Sequence, residues 1–146
     1  MHILITGAAG MIGQKLTERL VRDGALNGKP ITALTLVDVV APAAPAGFSG
    51  KVELATADLA AAAEARKVLA ARPEVVFHLA GVVSGEAELD FDKGYRVNLD
   101  GTRALLEAIR KAGHHPKVVF SSSIAVYGAP FPPDPPDWRV GFGAVR

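Results

Sequence analysis

The sequence predicts an α/β fold, a doubly wound parallel sheet with helices on both faces. Two observations carry this prediction: short aliphatic runs recur along the chain, and segments of helical composition separate them. The runs are too uniformly apolar for strands with one solvated face, so they indicate strands that are buried on both sides. The five predicted strands are Ile3–Thr6, Ile31–Val37, Val52–Ala55, Val75–His78 and Val118–Phe120.

Three helices are predicted between these strands. The first covers Met11–Asp23 and ends at Gly24, a residue type that favours helix C-termini. The second covers Leu59–Ala71, with Asp58 as its N-cap, and the third covers about Phe91–Ala112. The apolar residues predicted to face the core are Ile12, Leu16, Leu20 and Val21 in the first helix and Leu99, Leu105, Leu106 and Ile109 in the third.

The composition excludes several classes of protein. With 49% hydrophobic and 21% charged residues and a formal net charge of +1, the chain is neither a disordered segment nor a nucleic-acid-binding protein. No apolar run approaches the ~20 residues of a membrane span, and the N-terminus lacks a signal-peptide pattern. Cysteine is absent, which removes disulfides and thiolate ligands, and no metal site is expected. We therefore expect a cytoplasmic protein.

The pattern divides the chain at residue 128. Residues 1–128 contain the alternating strands and helices and are expected to form one α/β domain. Residues 129–146 are expected to form an irregular tail, because the stretch APFPPDPPD at its start holds five of the ten prolines.

A glycine-rich loop joins the first strand to the first helix. The stretch TGAAGMIGQKL, residues 6–16, spaces Gly7, Gly10 and Gly13 three residues apart. Gly7 permits a tight turn, Gly10 lets the backbone approach a pyrophosphate, and Gly13 lets the helix pack closely on the strand. The helix N-terminus then presents free N–H groups to the phosphates. A glycine-rich turn without a ligand is the alternative, but the order of strand, glycines and helix favours a Rossmann-type nucleotide site.

Asp38 ends the second strand, in the stretch LTLVD. In the Rossmann scheme a carboxylate at this place accepts both hydroxyls of the adenosine ribose. It repels a 2′-phosphate, and the residues that follow it offer no arginine to bind one. The sequence therefore predicts NAD rather than NADP, and the alternative for Asp38 is a carboxylate that caps the next loop.

Six stretches occur in a fixed order: TGAAGMIG, LTLVD, ADL at 57–59, HLAG at 78–81, VNLDGT at 97–102 and FSSSIAVYG at 120–128. In order and spacing they resemble the extended short-chain dehydrogenase/reductases, or NAD-dependent epimerase/dehydratases. The resemblance implies a Rossmann-type sheet and an NAD-dependent oxidoreductase that oxidises a secondary alcohol of a sugar acid such as D-erythronate. A nucleotide-sugar epimerase or dehydratase and a non-catalytic NAD-binding module are the alternatives. A homodimer is left open.

The resemblance also implies roles for individual residues. Ser123 matches the catalytic serine or threonine that orients the reacting oxygen of the substrate. Asn98 matches an asparagine that holds a water or shapes its helix, and an interior polar residue bonded locally is the alternative. His78 is expected to be a packed strand-end residue. The expected cofactor-binding residues are Gly7, Gly10, Met11, Ile12, Gly13, Asp38, Asp58, Leu59, Leu79, Ala80, Gly81, Asn98 and Ser121; Asp58 and Leu59 are placed at the adenine.

One motif of that family is missing from the sequence. In the family, the proton is transferred by a tyrosine in the pattern Y-x-x-x-K, whose lysine lowers the tyrosine pKa. The two tyrosines here, Tyr95 and Tyr127, are followed four residues later by Leu99 and Phe131. We therefore expect residues 1–128 to form an incomplete NAD-binding Rossmann domain, without the substrate domain of the family. The chain is then expected to be catalytically incomplete, through a shifted reading frame or truncation of a longer enzyme.

Overall fold

Strands and helices alternate through residues 1–123, which are the residues that the computed structural model of the chain describes. In chain order the elements are β1 (His2–Thr6), α1 (Met11–Asp23), β2 (Ala25–Leu26), β3 (Lys29–Pro30), β4 (Ala33–Asp38), β5 (Lys51–Thr56), α2 (Ala62–Leu69), β6 (Val75–His78), α3 (Ser84–Leu89), α4 (Phe91–Tyr95), a π-helical segment (Arg96–Gly101), α5 (Thr102–Ala112) and β7 (Lys117–Phe120). The residues predicted for the proline-rich tail lie outside this range.

Five strands form one parallel sheet in the order β5–β4–β1–β6–β7. The chain runs outward from β1 through β4 to β5 and then returns to the other side of β1 to form β6 and β7. The direction of strand order therefore reverses beside β1. In sheets of this kind, ligands bind outside the carboxyl ends of the strands at that reversal. The predicted doubly wound, five-stranded parallel sheet is confirmed.

Each face of the sheet carries its own apolar core. Ile3 and Ile5 of β1 pack toward α1 with Leu20, whereas Leu4 packs on the opposite face with Leu105 of α5. The three β1 residues are completely buried, as is Leu105. This alternation places apolar side chains on both faces of one strand, which explains why the strand sequences show continuous rather than alternating hydrophobicity.

Several helix predictions need correction. Helix α2 begins at Ala62 rather than Leu59, and its N-cap is Ala61 rather than Asp58, because residues 59–61 form a turn before the helix. Ile12 is exposed because it lies in the first turn of α1. Leu99 and Leu106, predicted to be buried, are each 48% exposed.

The third predicted helix is interrupted by the π segment, Arg96–Gly101, between α4 and α5. A π turn hydrogen-bonds from i to i+5 and so changes the rotation of side chains around the helix axis. Spacings of three and four residues then no longer follow one face, which explains the exposure of Leu99. Helix α3 was not predicted.

A short hairpin separates α1 from β4. Strands β2 and β3 pair in antiparallel fashion, with Leu26 opposite Lys29, across a turn formed by Asn27 and Gly28. Both turn residues have positive φ, 49° and 75°, as an Asn-Gly hairpin turn requires. The hairpin occupies the Ala25–Pro30 stretch between the first helix and the second main strand, at the amino end of β4 and away from the carboxyl edge of the sheet.

None of the helices within residues 1–123 is long and apolar enough to cross a membrane.

Candidate functional site

The glycine loop lies at the carboxyl end of β1, against the loop that follows β6. Gly7 has a φ of +73°, and a Cβ there would lie 2.6 Å from the backbone nitrogen of Ala80. A Cβ on Gly13 would lie 2.2 Å from the carbonyl oxygen of Gly7. Side chains at either position therefore collide with backbone, so the fold itself requires both glycines.

Gly10 differs from its two neighbours in the motif. Its φ of −72° is open to any residue, and a Cβ would approach only the Gly7 carbonyl oxygen, at 3.3 Å. It is the N-cap of α1, and no side chain caps this helix end. The side chains of Met11 and Ile12 in the first turn are exposed. A side chain here requires the Gly7 carbonyl to move by a few tenths of an ångström, so the local packing also favours glycine. The bare backbone and uncapped N-terminus fit an approaching pyrophosphate.

Asp38 ties the glycine loop to the end of β4. Its Oδ2 accepts a hydrogen bond from the backbone N–H of Ala9 at 2.9 Å, and its Oδ1 accepts one from Val39 at 2.7 Å. The Val40 N–H is a third, longer donor to Oδ1 at 3.4 Å. A carboxylate has about four acceptor sites, so these bonds leave one on Oδ2 for a ribose hydroxyl. The contact with Val39 is the loop cap considered as the alternative, and the contact with Ala9 adds a second, long-range role.

Asp58 lies one strand further out, after β5. Its Oδ1 accepts from the Ala60 N–H at 3.0 Å, and its Oδ2 accepts from Nη1 of Arg96 in the π segment. Leu59 beside it is buried, with its side chain in the core shared by α2 and α5. Asp58 therefore stabilises a turn rather than capping a helix, and its carboxylate stays partly exposed at the edge of the sheet.

The loop after β6 runs past Gly7. The N–H of Leu79 donates to the carbonyl oxygen of Thr6 at 3.1 Å, and the N–H of Ala80 lies 3.4 Å from the Thr6 hydroxyl. A Cβ on Gly81 would lie 3.3 Å from Oδ1 of Asn98. Small residues therefore lie where the loop after β6 passes close to the glycine loop.

Asn98 of the π segment holds the next residue of that loop by two bonds. Its Oδ1 accepts from the Val82 N–H at 2.8 Å, and its Nδ2 donates to the Val82 carbonyl oxygen at 3.0 Å. The partner lies 16 residues away in sequence, so the bonding is not local as the alternative supposed. Asn98 therefore clamps the loop after β6. Its catalytic and cofactor-binding roles stay predictions.

His78 lies at the end of β6 and is 2% exposed. Its Nδ1 is 2.6 Å from the hydroxyl of Thr6, and its Nε2 is 3.0 Å from that of Thr102. Thr102 donates its proton to the Asn98 carbonyl oxygen at 2.7 Å, so it accepts from Nε2–H. Nδ1 is then the acceptor of the Thr6 proton, which assigns the neutral Nε2–H tautomer.

Burial lowers the pKa of His78, in agreement with this neutral tautomer. The ring also stacks on Phe120 of β7, with the ring centroids 5.7 Å apart. His78 is therefore a packed residue, as predicted, and it connects β1, β6 and α5 through its two hydroxyl partners.

Two of the predicted serines lie just after β7, at the same edge. The N–H of Ser121 donates to the His78 carbonyl oxygen at 3.2 Å, and its hydroxyl oxygen lies 3.4 Å from the same atom. Ser123 is the last described residue and is exposed. Tyr127 and the rest of the FSSSIAVYG stretch lie outside the described residues.

Three contact residues were missed by sequence reasoning: Thr6, Arg96 and Thr102. Thr102 follows Asn98 by four residues, a spacing at which threonine hydroxyls bond helix carbonyls, and this signal was available in the sequence. Arg96 pairs with Asp58, which lies 38 positions earlier, and no local sequence pattern predicts such a pair.

The strand reversal, the glycine loop and Asp38 together define a Rossmann-type dinucleotide-binding domain. More narrowly, the chain belongs to the NAD dependent epimerase/dehydratase family, whose sequence model matches residues 3–139. This membership confirms the predicted family and, at the level of the family, NAD as the cofactor.

Relatives of several activities are similar to this chain. D-erythronate dehydrogenase of Cupriavidus necator is 50% identical over 138 residues, which cover 91% of this chain and 42% of that protein. The crystal structure of a nucleoside-diphosphate-sugar epimerase from Agrobacterium tumefaciens has a TM-score of 0.87 and 65% identity, and the match covers 90% of this chain and 40% of that one.

A mutant uronate dehydrogenase from Agrobacterium tumefaciens, solved with NAD, gives a TM-score of 0.66 at 32% identity; the match covers 84% of this chain and 40% of that one. The chain thus spans about two fifths of the length of the relatives that it matches.

Proposed function

We propose that the chain binds NAD at the carboxyl edge of the sheet, as the cofactor-binding part of an oxidoreductase that oxidises a secondary alcohol of a sugar acid such as D-erythronate. The observation that carries the proposal is the glycine loop at the strand reversal, where the bare backbone of Gly10 begins the uncapped N-terminus of α1 and Asp38 bonds the neighbouring Ala9 N–H. The similarity to D-erythronate dehydrogenase supports the choice of substrate class.

Different residues of this chain would contact different parts of the bound dinucleotide. The glycine loop would receive the pyrophosphate, and Asp38 would accept from a ribose hydroxyl. Asp58 and Leu59 would lie toward the adenine, and the Leu79–Gly81 loop toward the nicotinamide. NAD supplies a hydride acceptor for the alcohol carbon.

Ser123 would orient the reacting oxygen of the substrate by a hydrogen bond. The proton of that hydroxyl needs a base, and the printed sequence contains no Y-x-x-x-K pattern to provide it. We therefore propose that this chain binds NAD without turning over a substrate.

Calorimetric titration of NAD into the wild type and Gly10→Ala tests the binding site. Gly10→Ala adds a methyl group where the pyrophosphate must approach, so its NAD affinity should fall by at least ~10-fold. The methyl group also meets the Gly7 carbonyl oxygen at 3.3 Å, so a thermal unfolding curve accompanies the titration and shows that the variant is folded. Gly85→Ala is the matched control, since a Cβ there meets nothing within 4 Å. Equal NAD affinity in all three proteins contradicts the proposed site.

Titration with NADP tests the role of Asp38. The carboxylate would lie against a 2′-phosphate, so NADP should bind more weakly than NAD by at least ~10-fold. Equal affinity for the two dinucleotides would show that Asp38 does not face the ribose.

Two other functions have support of their own. The 65% identity to a nucleoside-diphosphate-sugar epimerase favours an epimerase as the parent activity. The missing Y-x-x-x-K pattern favours a non-catalytic NAD-binding module. Incubation with NAD and D-erythronate tests dehydrogenase activity by NADH absorbance. Incubation with NAD and UDP-glucose tests epimerase activity by sugar analysis. We expect NAD binding without turnover, and the appearance of NADH with D-erythronate would show that the chain is catalytically complete.

A further inference from the structure

Arg96 connects the π segment to the loop that follows β5. Its Nη1 donates to Oδ2 of Asp58, which lies 38 residues earlier in the sequence. Two positions further along the same segment, Asn98 holds the loop after β6. One short helical segment therefore contacts loops on both sides of the glycine loop.

The sheet order places Asp58 on the adenosine side of the proposed site. Strands β4 and β5 lie on one side of β1, and the N–H of Ala57 donates to the carbonyl oxygen of Asp38 at 2.9 Å. A dinucleotide with its pyrophosphate at the glycine loop and its ribose at Asp38 would extend its base toward the end of β5. Asp58 is the carboxylate at that end.

The Asp58 carboxylate is oriented but not saturated. Ala60 occupies one acceptor position on Oδ1 and Arg96 occupies one on Oδ2. With about four acceptor positions in a carboxylate, each oxygen retains one for an outside donor. The exocyclic amino group of adenine is such a donor, whereas hypoxanthine carries a carbonyl oxygen in its place.

Resting on the proposed NAD site, we propose that Arg96 is a positioning residue that fixes the Asp58 carboxylate for the amino group of adenine, and so sets the preference for adenine over hypoxanthine. Fixing a side chain before binding lowers the entropic cost of using it in recognition. Arg96 does this from the π segment without contacting the base itself.

The exposure of the Arg96–Asp58 ion pair distinguishes a role in ligand recognition from a role in folding stability. The side chains of Arg96 and Asp58 are 56% and 35% exposed. Exposed ion pairs contribute little to folding stability, because water and salt screen them. Loss of the pair should therefore change ligand selectivity much more than it changes the melting temperature.

The experiment compares the affinities of NAD and nicotinamide hypoxanthine dinucleotide, which carry identical phosphates, in the wild type and Arg96→Gln. The wild type should prefer NAD by roughly 10-fold, and Arg96→Gln should reduce this ratio to about 2-fold. A charge effect of Arg96 on the pyrophosphate would weaken both ligands equally and leave the ratio unchanged. Arg110→Gln is the matched control, because Arg110 pairs with Glu107 on α5 and should keep the wild-type ratio.

Arg96→Lys provides a second variant that retains the charge but loses the planar guanidinium geometry, and it should give an intermediate ratio. It carries the test if Arg96→Gln fails to fold. A wild-type ratio in a folded Arg96 variant overturns this inference while the proposed NAD site stands. Failure of the wild type to bind either dinucleotide overturns both.

Discussion

At the scale of single residues, His78 shows how one buried ring joins three elements. Its Nδ1 accepts from the Thr6 hydroxyl, and its Nε2–H donates to the Thr102 hydroxyl. Thr102 in turn donates to the Asn98 carbonyl oxygen. Each of these three hydrogen atoms has one acceptor. A further proton on Nδ1 would occupy the lone pair that accepts from Thr6 and so break that hydrogen bond. The network is therefore built for a neutral ring.

This arrangement predicts a loss of stability in mild acid. Burial lowers the pKa of His78 in the native state, whereas an unfolded histidine titrates near ~6.5. Below that pH the unfolded chain binds more protons than the folded one, so the free energy of unfolding falls as the pH decreases from about 6.5. Above that pH both states are neutral at His78 and the penalty is absent.

Urea unfolding of the wild type and His78→Gln at pH 7.5 and 5.5 checks this prediction. Glutamine offers an N–H donor and a carbonyl acceptor but does not titrate in this range. The decrease in stability between the two pH values should be smaller in His78→Gln. His114, whose pKa is also lowered by burial, is present in both proteins and cancels in the comparison. An equal decrease in both proteins contradicts the prediction.

The residue scale also shows what the sequence could predict about the site. The glycine spacing and the strand-end position of Asp38 are local patterns, and the structure brings these residues together at one edge. The pair between Arg96 and Asp58 depends on how two distant loops meet, which no local spacing encodes. Asn98 was singled out from its motif, but its partner Val82 became visible only in three dimensions.

At the scale of elements, the π segment is the feature that sequence periodicity missed. A 3.6-residue period predicted one continuous helix over 91–112, and the chain instead inserts a wider turn at Arg96–Gly101. The prediction that Leu99 is buried assumed that period and was wrong because the π segment interrupts it. Strands were easier to predict, because their continuous aliphatic runs carry the signal without a helical period.

Removal of the Asn98 side chain should loosen the loop after β6. Asn98→Ala loses both bonds to Val82, so hydrogen exchange at the Val82 amide should accelerate by at least ~10-fold and stability should fall by about 1 kcal/mol. Hydrogen exchange followed by NMR measures the first effect, and thermal unfolding measures the second.

Asn98→Asp is the matched variant, because it keeps an acceptor for the Val82 N–H while losing the donor to the Val82 carbonyl oxygen. It should protect the Val82 amide better than Asn98→Ala does. Unchanged exchange at Val82 in Asn98→Ala would show that the loop holds its conformation without the clamp.

At the scale of the whole molecule, apolar side chains remain exposed along one long helical stretch. They occur in α4, the π segment and α5: Phe91, Tyr95, Leu99 and Leu106. The rings of Phe91 and Tyr95 contact each other, with centroids 5.3 Å apart. We propose that a second copy of the chain covers these exposed side chains in a homodimer.

Sedimentation velocity over a range of protein concentrations tests this proposal. The wild type should associate as its concentration rises, and Leu106→Glu should remain monomeric because a carboxylate at the interface would lose its hydration. Val40→Glu is the matched control, since Val40 is 65% exposed and follows β4 on the other half of the sheet. A monomeric wild type at high concentration would contradict the proposal, as would dimerisation of Leu106→Glu with unchanged strength.

The hairpin of β2 and β3 has a practical consequence for attaching the protein to a surface. Its exposed residue Lys29 precedes β4, at the amino end of that strand, whereas the glycine loop lies at the carboxyl edge of the sheet. The sequence contains no cysteine, so Lys29→Cys introduces a single thiol. A chip or electrode coupled through that thiol would attach every molecule at the same residue, with the proposed NAD-binding edge turned toward the solution.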